Sequence, residues 1–128
     1  MVTNEVRSLD GRFNVMALAC PTRAVIDRIG DKWTLLVLYA LGSGRLRFSQ
    51  LRAQVQGVSQ KMLTQTLRGM ERDGLLSRTV HAEVPPRVEY ELTELGRGLQ
   101  EVVAGIRLWA YGHMDEIDEA RERYDTKI

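Results

Sequence analysis

Apolar residues recur at helical spacing along most of this chain and give way to a two-residue alternation between Ser77 and Thr93. Residues 1–19 form an N-terminal arm, whose apolar positions predict a helix from Leu9 to Leu18. Pro21 suits the first position of the next helix, because its missing N–H would be unpaired there in any case. That helix carries Ala24, Val25, Ile26 and Ile29 and stops at Gly30. Asp31 then caps a helix from Lys32 to Leu41, with Trp33, Leu36, Val37, Tyr39 and Ala40 on its inner face. Gly42-Ser43-Gly44 ends this helix, and Arg45-Leu46-Arg47 reads as a short extended piece.

The middle of the chain is more specific. Phe48, Leu51 and Val55 lie on one face of a short helix, and Gln56-Gly57-Val58 follows as a tight turn. Ser59 is a good N-cap for a helix reaching about Asp73, in which Leu63, Leu67 and Met70 bury one side and Gly74 closes the end. Two short helices joined by a glycine-bearing turn form a helix-turn-helix. Arg78, Val80, Ala82 and Val84 then alternate with polar neighbours, as do Val88, Tyr90 and Leu92. The two strands join at Pro85-Pro86-Arg87, since proline cannot continue a ladder. A β-hairpin placed directly after a helix-turn-helix is a wing.

Thr93 caps a last long helix, with Leu95, Leu99, Val102, Val103, Ile106, Trp109, Ala110 and Ile117 on its apolar face. Gly98, Gly105 and Gly112 fall at seven-residue steps along one edge of that face. Each glycine costs a helix about 1 kcal/mol relative to alanine, so the stripe predicts the close approach of a neighbouring backbone. The expected fold class is α+β, mainly α. A winged helix-turn-helix (20–92) stands between the arm and a C-terminal helix and tail (93–128), all in one domain.

Composition adds little until charge is followed along the chain. The 128 residues are 44% hydrophobic and 27% charged, an ordinary soluble balance with a net charge of +1. Residues 45–90 hold eight basic side chains against four acidic, whereas residues 113–128 hold six acidic against three basic. A basic middle and an acidic end suit a protein that meets a polyanion with one face. No apolar run is long enough to span a membrane, and Met1 to Asp10 lack an apolar export core, so a cytoplasmic location is expected. One cysteine, Cys20, and two histidines, His81 and His113, support neither an internal disulfide nor a metal site. No cofactor is expected.

Three strings carry a resemblance: CPTRAVIDRIGDKWTLLVLYAL, RFSQLRAQVQGVSQKMLTQTLRGMERDGLL and RTVHAEVPPRVEYELTELG. In this order and spacing residues 20–96 resemble the HxlR family of bacterial winged-helix regulators, relatives of the MarR type. The resemblance implies a winged helix extended by flanking helices that dimerise, and a role as repressor or activator. Several members respond to electrophiles or oxidants through a cysteine near the N-terminus, and Cys20 matches that position.

The residues themselves indicate how such a protein would meet double-stranded DNA. With Leu63, Leu67 and Met70 inward, the 59–73 helix turns Gln60, Lys61, Thr64, Gln65 and Arg68 outward, types that pair with base edges in the major groove. Ser59 and the first free N–H groups suit a phosphate. Arg87 beside two prolines suits a narrow minor groove, or is simply a solvated loop arginine. Arg47 and Arg78 reach either phosphates or nearby carboxylates. A pseudo-palindromic operator would need two copies about one helical turn apart. The candidate homodimer surface combines Phe13 and Met16 of the arm with Leu99, Val102, Ile106 and Trp109 of the last helix.

Cys20 has two readings, a structural cysteine or a thiol sensor at a helix start with Arg23 nearby. A small ligand in the dimer cleft, near Trp33, Trp109 and Tyr111, is an alternative means of control. A winged helix used for protein interaction is a further reading. An enzyme with Cys20 as nucleophile lacks an adjacent base, and no catalytic residue is assigned.

Overall fold

A computed structural model describes residues 7–127. Its elements are α1 (Pro21–Gly30), α2 (Lys32–Leu41), β1 (Leu46–Arg47), α3 (Phe48–Gln54), α4 (Gln60–Arg72), β2 (Leu76–His81), β3 (Arg87–Leu92) and α5 (Glu94–Asp125). The strands form one antiparallel sheet in the order β1-β3-β2, with Leu46 opposite Tyr90 and His81 opposite Arg87. This is a mainly helical winged helix-turn-helix. Among the described residues no helix is long and apolar enough to cross a membrane.

Caps set most helix starts. The Asp31 carboxylate accepts from the Thr34 N–H at 3.3 Å, the Ser59 hydroxyl from Met62 N–H at 3.1 Å, and the Thr93 hydroxyl from Gly96 N–H at 3.1 Å. Glycines at 57 and 74 take φ of +89° and +77°, which lets the chain reverse on either side of α4.

α2 is the central post. Val37, Leu38 and Leu41 are fully buried against Leu51 of α3, Leu63, Leu67 and Met70 of α4, Leu92 of β3 and Val103 of α5. The buried set differs from the expected inner face, because Thr34 and Leu38 face inward and Leu36 is exposed. A helix apolar nearly all round has no strong face of its own, so its neighbours choose one.

The arm also differs from expectation. Leu9–Leu18 is not a helix but a series of turns closed by a bridge between Arg7 and Asn14. Short polar side chains capture the backbone there. The Asp10 carboxylate accepts from the Ser8 hydroxyl (2.6 Å) and Arg12 N–H (3.0 Å), and the Ser8 hydroxyl accepts from Phe13 N–H (2.9 Å). Such local bonds compete with helix formation, and Gly11 at φ +71° completes the turn. Residues 1–6 of the expected arm and Ile128 of the tail lie outside the described residues.

α5 spans 32 residues, yet only Gly96 and Val103 are buried. Its Gly98, Gly105 and Gly112 face open space, so the backbone expected beside that stripe is not among the described residues of this chain. The close approach occurs instead at Gly96, where an added Cβ would fall 2.9 Å from the Leu75 carbonyl carbon.

Candidate nucleic-acid interface

α4 presents the face expected of it. Leu63, Thr66, Leu67 and Met70 are buried, while Gln60, Lys61, Gln65 and Arg68 are exposed and Thr64 is half-buried. No described carboxylate lies within ion-pair distance of Lys61 or Arg68. Ser59 spends its hydroxyl on the Met62 N–H and its carbonyl on Leu63 N–H, leaving the first N–H groups of α4 for an outside acceptor.

The other basic residues fall into two groups. Thr64, Arg68 and Arg78 gather with Glu71 and Tyr90 around a small cleft of about 190 Å³ beside α4. Arg78 there stands 3.6 Å from Glu71, and burial pushes the Tyr90 phenol up from its ordinary value. Arg47 and Arg87 line a second cleft, about 480 Å³, between the start of α3 and the wing loop, together with Ser49 and Glu83. The Arg47 N–H is bonded by the Gln50 side chain at 2.8 Å, and its guanidinium is unpaired by any described carboxylate.

Arg87 is not at the hairpin tip. β2 ends at His81, earlier than the alternation suggested, and Arg87 pairs across from it as the first residue of β3. Its guanidinium is held by Glu89 (3.1 Å) and Glu83 (3.3 Å). The same Glu89 oxygen lies 2.7 Å from His81 Nε2, and the other stands 3.9 Å from Arg45. Glu89, 17% exposed at its side chain, is thus the hub of the wing's charges. Arg45, unassigned by sequence reasoning, also meets Glu91 at 2.9 Å. Strand pairing brings His81 and Arg45 to this hub, whereas Arg87 and Glu89 already share one face of β3 at two-residue spacing, a local signal that sequence reasoning left unused.

A test follows from the hub. Glu89→Gln removes a negative charge from the wing and loosens Arg87 and Arg45 for phosphates. Affinity for a random duplex is expected to rise about threefold at low salt. A fall, measured by fluorescence anisotropy at two salt concentrations, would mean that Glu89 holds Arg87 in its binding pose.

Cys20 is the half-buried N-cap residue of α1. Its Sγ lies 3.0 Å from the Thr22 hydroxyl, and that hydrogen bond, against partial burial, holds the thiol below its ordinary pKa. Arg23, expected to assist, donates instead to the Met16 carbonyl at 3.2 Å. Trp33 packs on the core, Trp109 stacks on His113, and Tyr111 borders a cleft with Tyr39 and Arg107.

Of the expected dimer residues, Phe13 is half-buried, Met16 is exposed, and Leu99 packs partly on its own core. Val102, Ile106 and Trp109 stay 69%, 50% and 58% exposed. With Val25 and Ile29 of α1, Leu95, Leu99 and Val102 line an apolar groove of about 820 Å³.

The HxlR-like helix-turn-helix family model matches residues 28–118. The chain belongs to that family. It is similar to YdeP of Bacillus subtilis, an HTH-type transcriptional regulator, with 42% identity over 111 residues covering 85% of this chain and 87% of the relative. Its fold superposes on the transcriptional regulator YtfH of Salmonella typhimurium with a TM-score of 0.82 and 41% identity, covering 86% of this chain and 98% of the other. The redox regulator HypR in its reduced form gives 0.72 and 37%, covering 77% and 98%. This HxlR-like protein is accordingly a DNA-binding transcriptional regulator, and its helix-turn-helix is the α3–α4 pair.

Proposed function

We propose that this HxlR-like regulator acts as a homodimer on a pseudo-palindromic operator, probing each half-site with α4. The observation that carries the reading is the outward face of α4, where two amides and two cations unpaired by any described carboxylate extend from a free helix N-terminus along about two turns. Gln60, Lys61, Thr64, Gln65 and Arg68 address base edges. Ser59 positions the N-terminal N–H groups toward a phosphate. Arg47, Arg78 and, once released by Glu89, Arg87 serve the backbone or minor groove. Occupying the operator blocks transcription, which makes the protein a repressor.

The dimer reading rests on α5. Val102, Ile106 and Trp109 lie on one face of α5 and form a run of exposed apolar surface larger than isolated surface residues account for. A second copy seated on this face and on the Phe13–Met16 segment covers it and sets two α4 helices about 34 Å apart.

Control is assigned to Cys20. Its lowered pKa raises the thiolate fraction at neutral pH, and a redox regulator stands among the relatives of similar fold. With one cysteine per chain, a disulfide joins Cys20 of two copies, each thiol surrendering its proton and one electron to the oxidant. The test is anisotropy on DNA from upstream of the protein's own gene, before and after diamide, with light scattering for mass. Binding is expected as a dimer, with at least about a tenfold reversible loss on oxidation that Cys20→Ser abolishes. Tight binding indifferent to diamide would sink the thiol switch and transfer control to a ligand in the α1–α5 groove.

A further inference from the structure

Two residues near the end of α4 are poor choices for a helix. Gly69 lowers helix stability in the interior of the element, and Asp73 puts a negative charge where the dipole favours a positive one. Neither has a local explanation. Both are explained by Arg28, 45 residues before Asp73. The Arg28 Nε donates to the Asp73 carboxylate at 2.7 Å, with both side chains about two-thirds buried. The guanidinium also lies directly over Gly69, where an added Cβ would fall 2.6 Å from Cζ and 2.9 Å from Nη2. A cation is thereby delivered to the C-terminal end of α4 from another helix, and the missing side chain at 69 is its seat.

From this geometry we infer that Arg28 is a positioning residue for DNA reading, fixing the tilt of α4 from α1. The inference rests on α4 being the reading helix. α4 is about 20 Å long, so a tilt of about 5° at the Asp73 end moves Gln60 and Lys61 by about 2 Å. Hydrogen bonds to base edges tolerate only a few tenths of that. α1 is well suited to transmit such a tilt. It contains no fully buried residue and is held to the body by Ile29 and Arg28 at its C-terminal end. Its N-terminal end carries Cys20, so the Arg28 clamp gives α1 a direct link to α4 beside the packing route through α2.

The experiment uses the full chain and two duplexes, one selected from a random library with the unaltered protein and one scrambled. Arg28→Gln is expected to lower the ratio of selected to scrambled affinity about tenfold. Scrambled affinity and its salt slope should stay within about twofold. Gly69→Ala keeps every charge but pushes the guanidinium off its seat. It is expected to lower the same ratio while thermal stability holds or rises, because alanine favours the helix. Loss of stability with an unchanged ratio in both variants would make Arg28 a structural prop. Equal losses on both duplexes with a shallower salt slope would make it a phosphate contact. Either result overturns the inference. If selection with the unaltered protein enriches no sequence, sequence reading by α4 fails first, and that failure is visible before any variant is compared.

Discussion

Replacing Lys61 by glutamate is expected to lower affinity for a specific DNA site about 100-fold while the fold gains rather than loses stability. Lys61 is exposed in the first turn of α4, beside the N-terminal N–H groups, and no described carboxylate holds it. A lost base or phosphate contact is worth about 1–3 kcal/mol per half-site, and a dimer loses it twice. Two losses of about 1.5 kcal/mol already amount to about 100-fold, before repulsion between the new carboxylate and the phosphates is counted. The helix responds in the opposite direction, because an acidic side chain in the first turn complements the dipole and contributes about 0.3–1 kcal/mol. Binding isotherms and thermal melts on one preparation therefore move oppositely. A fall in melting temperature parallel to the loss of binding would show that Lys61 acts through folding and would remove it from the reading face.

Gly96→Ala is expected to destabilise the protein by about 3 kcal/mol, where the same change in an open helix stabilises by about 1 kcal/mol. Gly96 is buried in the first turn of α5, against the backbone of Leu75. That backbone cannot retreat. The Leu75 carbonyl accepts from Thr93 N–H at 3.1 Å, and the Thr93 hydroxyl donates to the Gly74 carbonyl at 2.5 Å. A methyl group at 96 must break this rivet between the end of α4 and the start of α5, or drive α5 away from Val103's seat in the core. A drop in melting temperature of about 10 °C or more is the expected reading. An unchanged melt would mean that α5 does not depend on this junction.

Most of the fold was legible because its signals are local. Asp31, Ser59 and Thr93 each accept from an N–H three residues ahead. The Leu63, Leu67 and Met70 stripe is buried as its spacing requires, and prolines 85 and 86 interrupt the hairpin where they must. The arm misled because its apolar spacing suited a helix while Ser8, Asp10 and Asn14 offered the backbone better local partners. The candidate reading face was equally legible, since an outward face is what remains when the inward stripe is known. The wing charges were not. Arg87 read as a free guanidinium although Glu89, two residues on, shares its face of β3, and nothing near Arg28 in sequence announces Asp73 or Gly69.

The amino-acid sequence alone therefore determined the helices, their caps, the wing and the face of α4 turned outward, since each follows from interactions within about one turn or one hairpin. The tertiary structure alone decided which side of the uniformly apolar α2 is buried, that Gly96 rather than Gly98 meets a backbone, and that Arg28 and Arg45 are already paired. Those outcomes depend on residues tens of positions apart, whose proximity exists only once the core around α2 has closed.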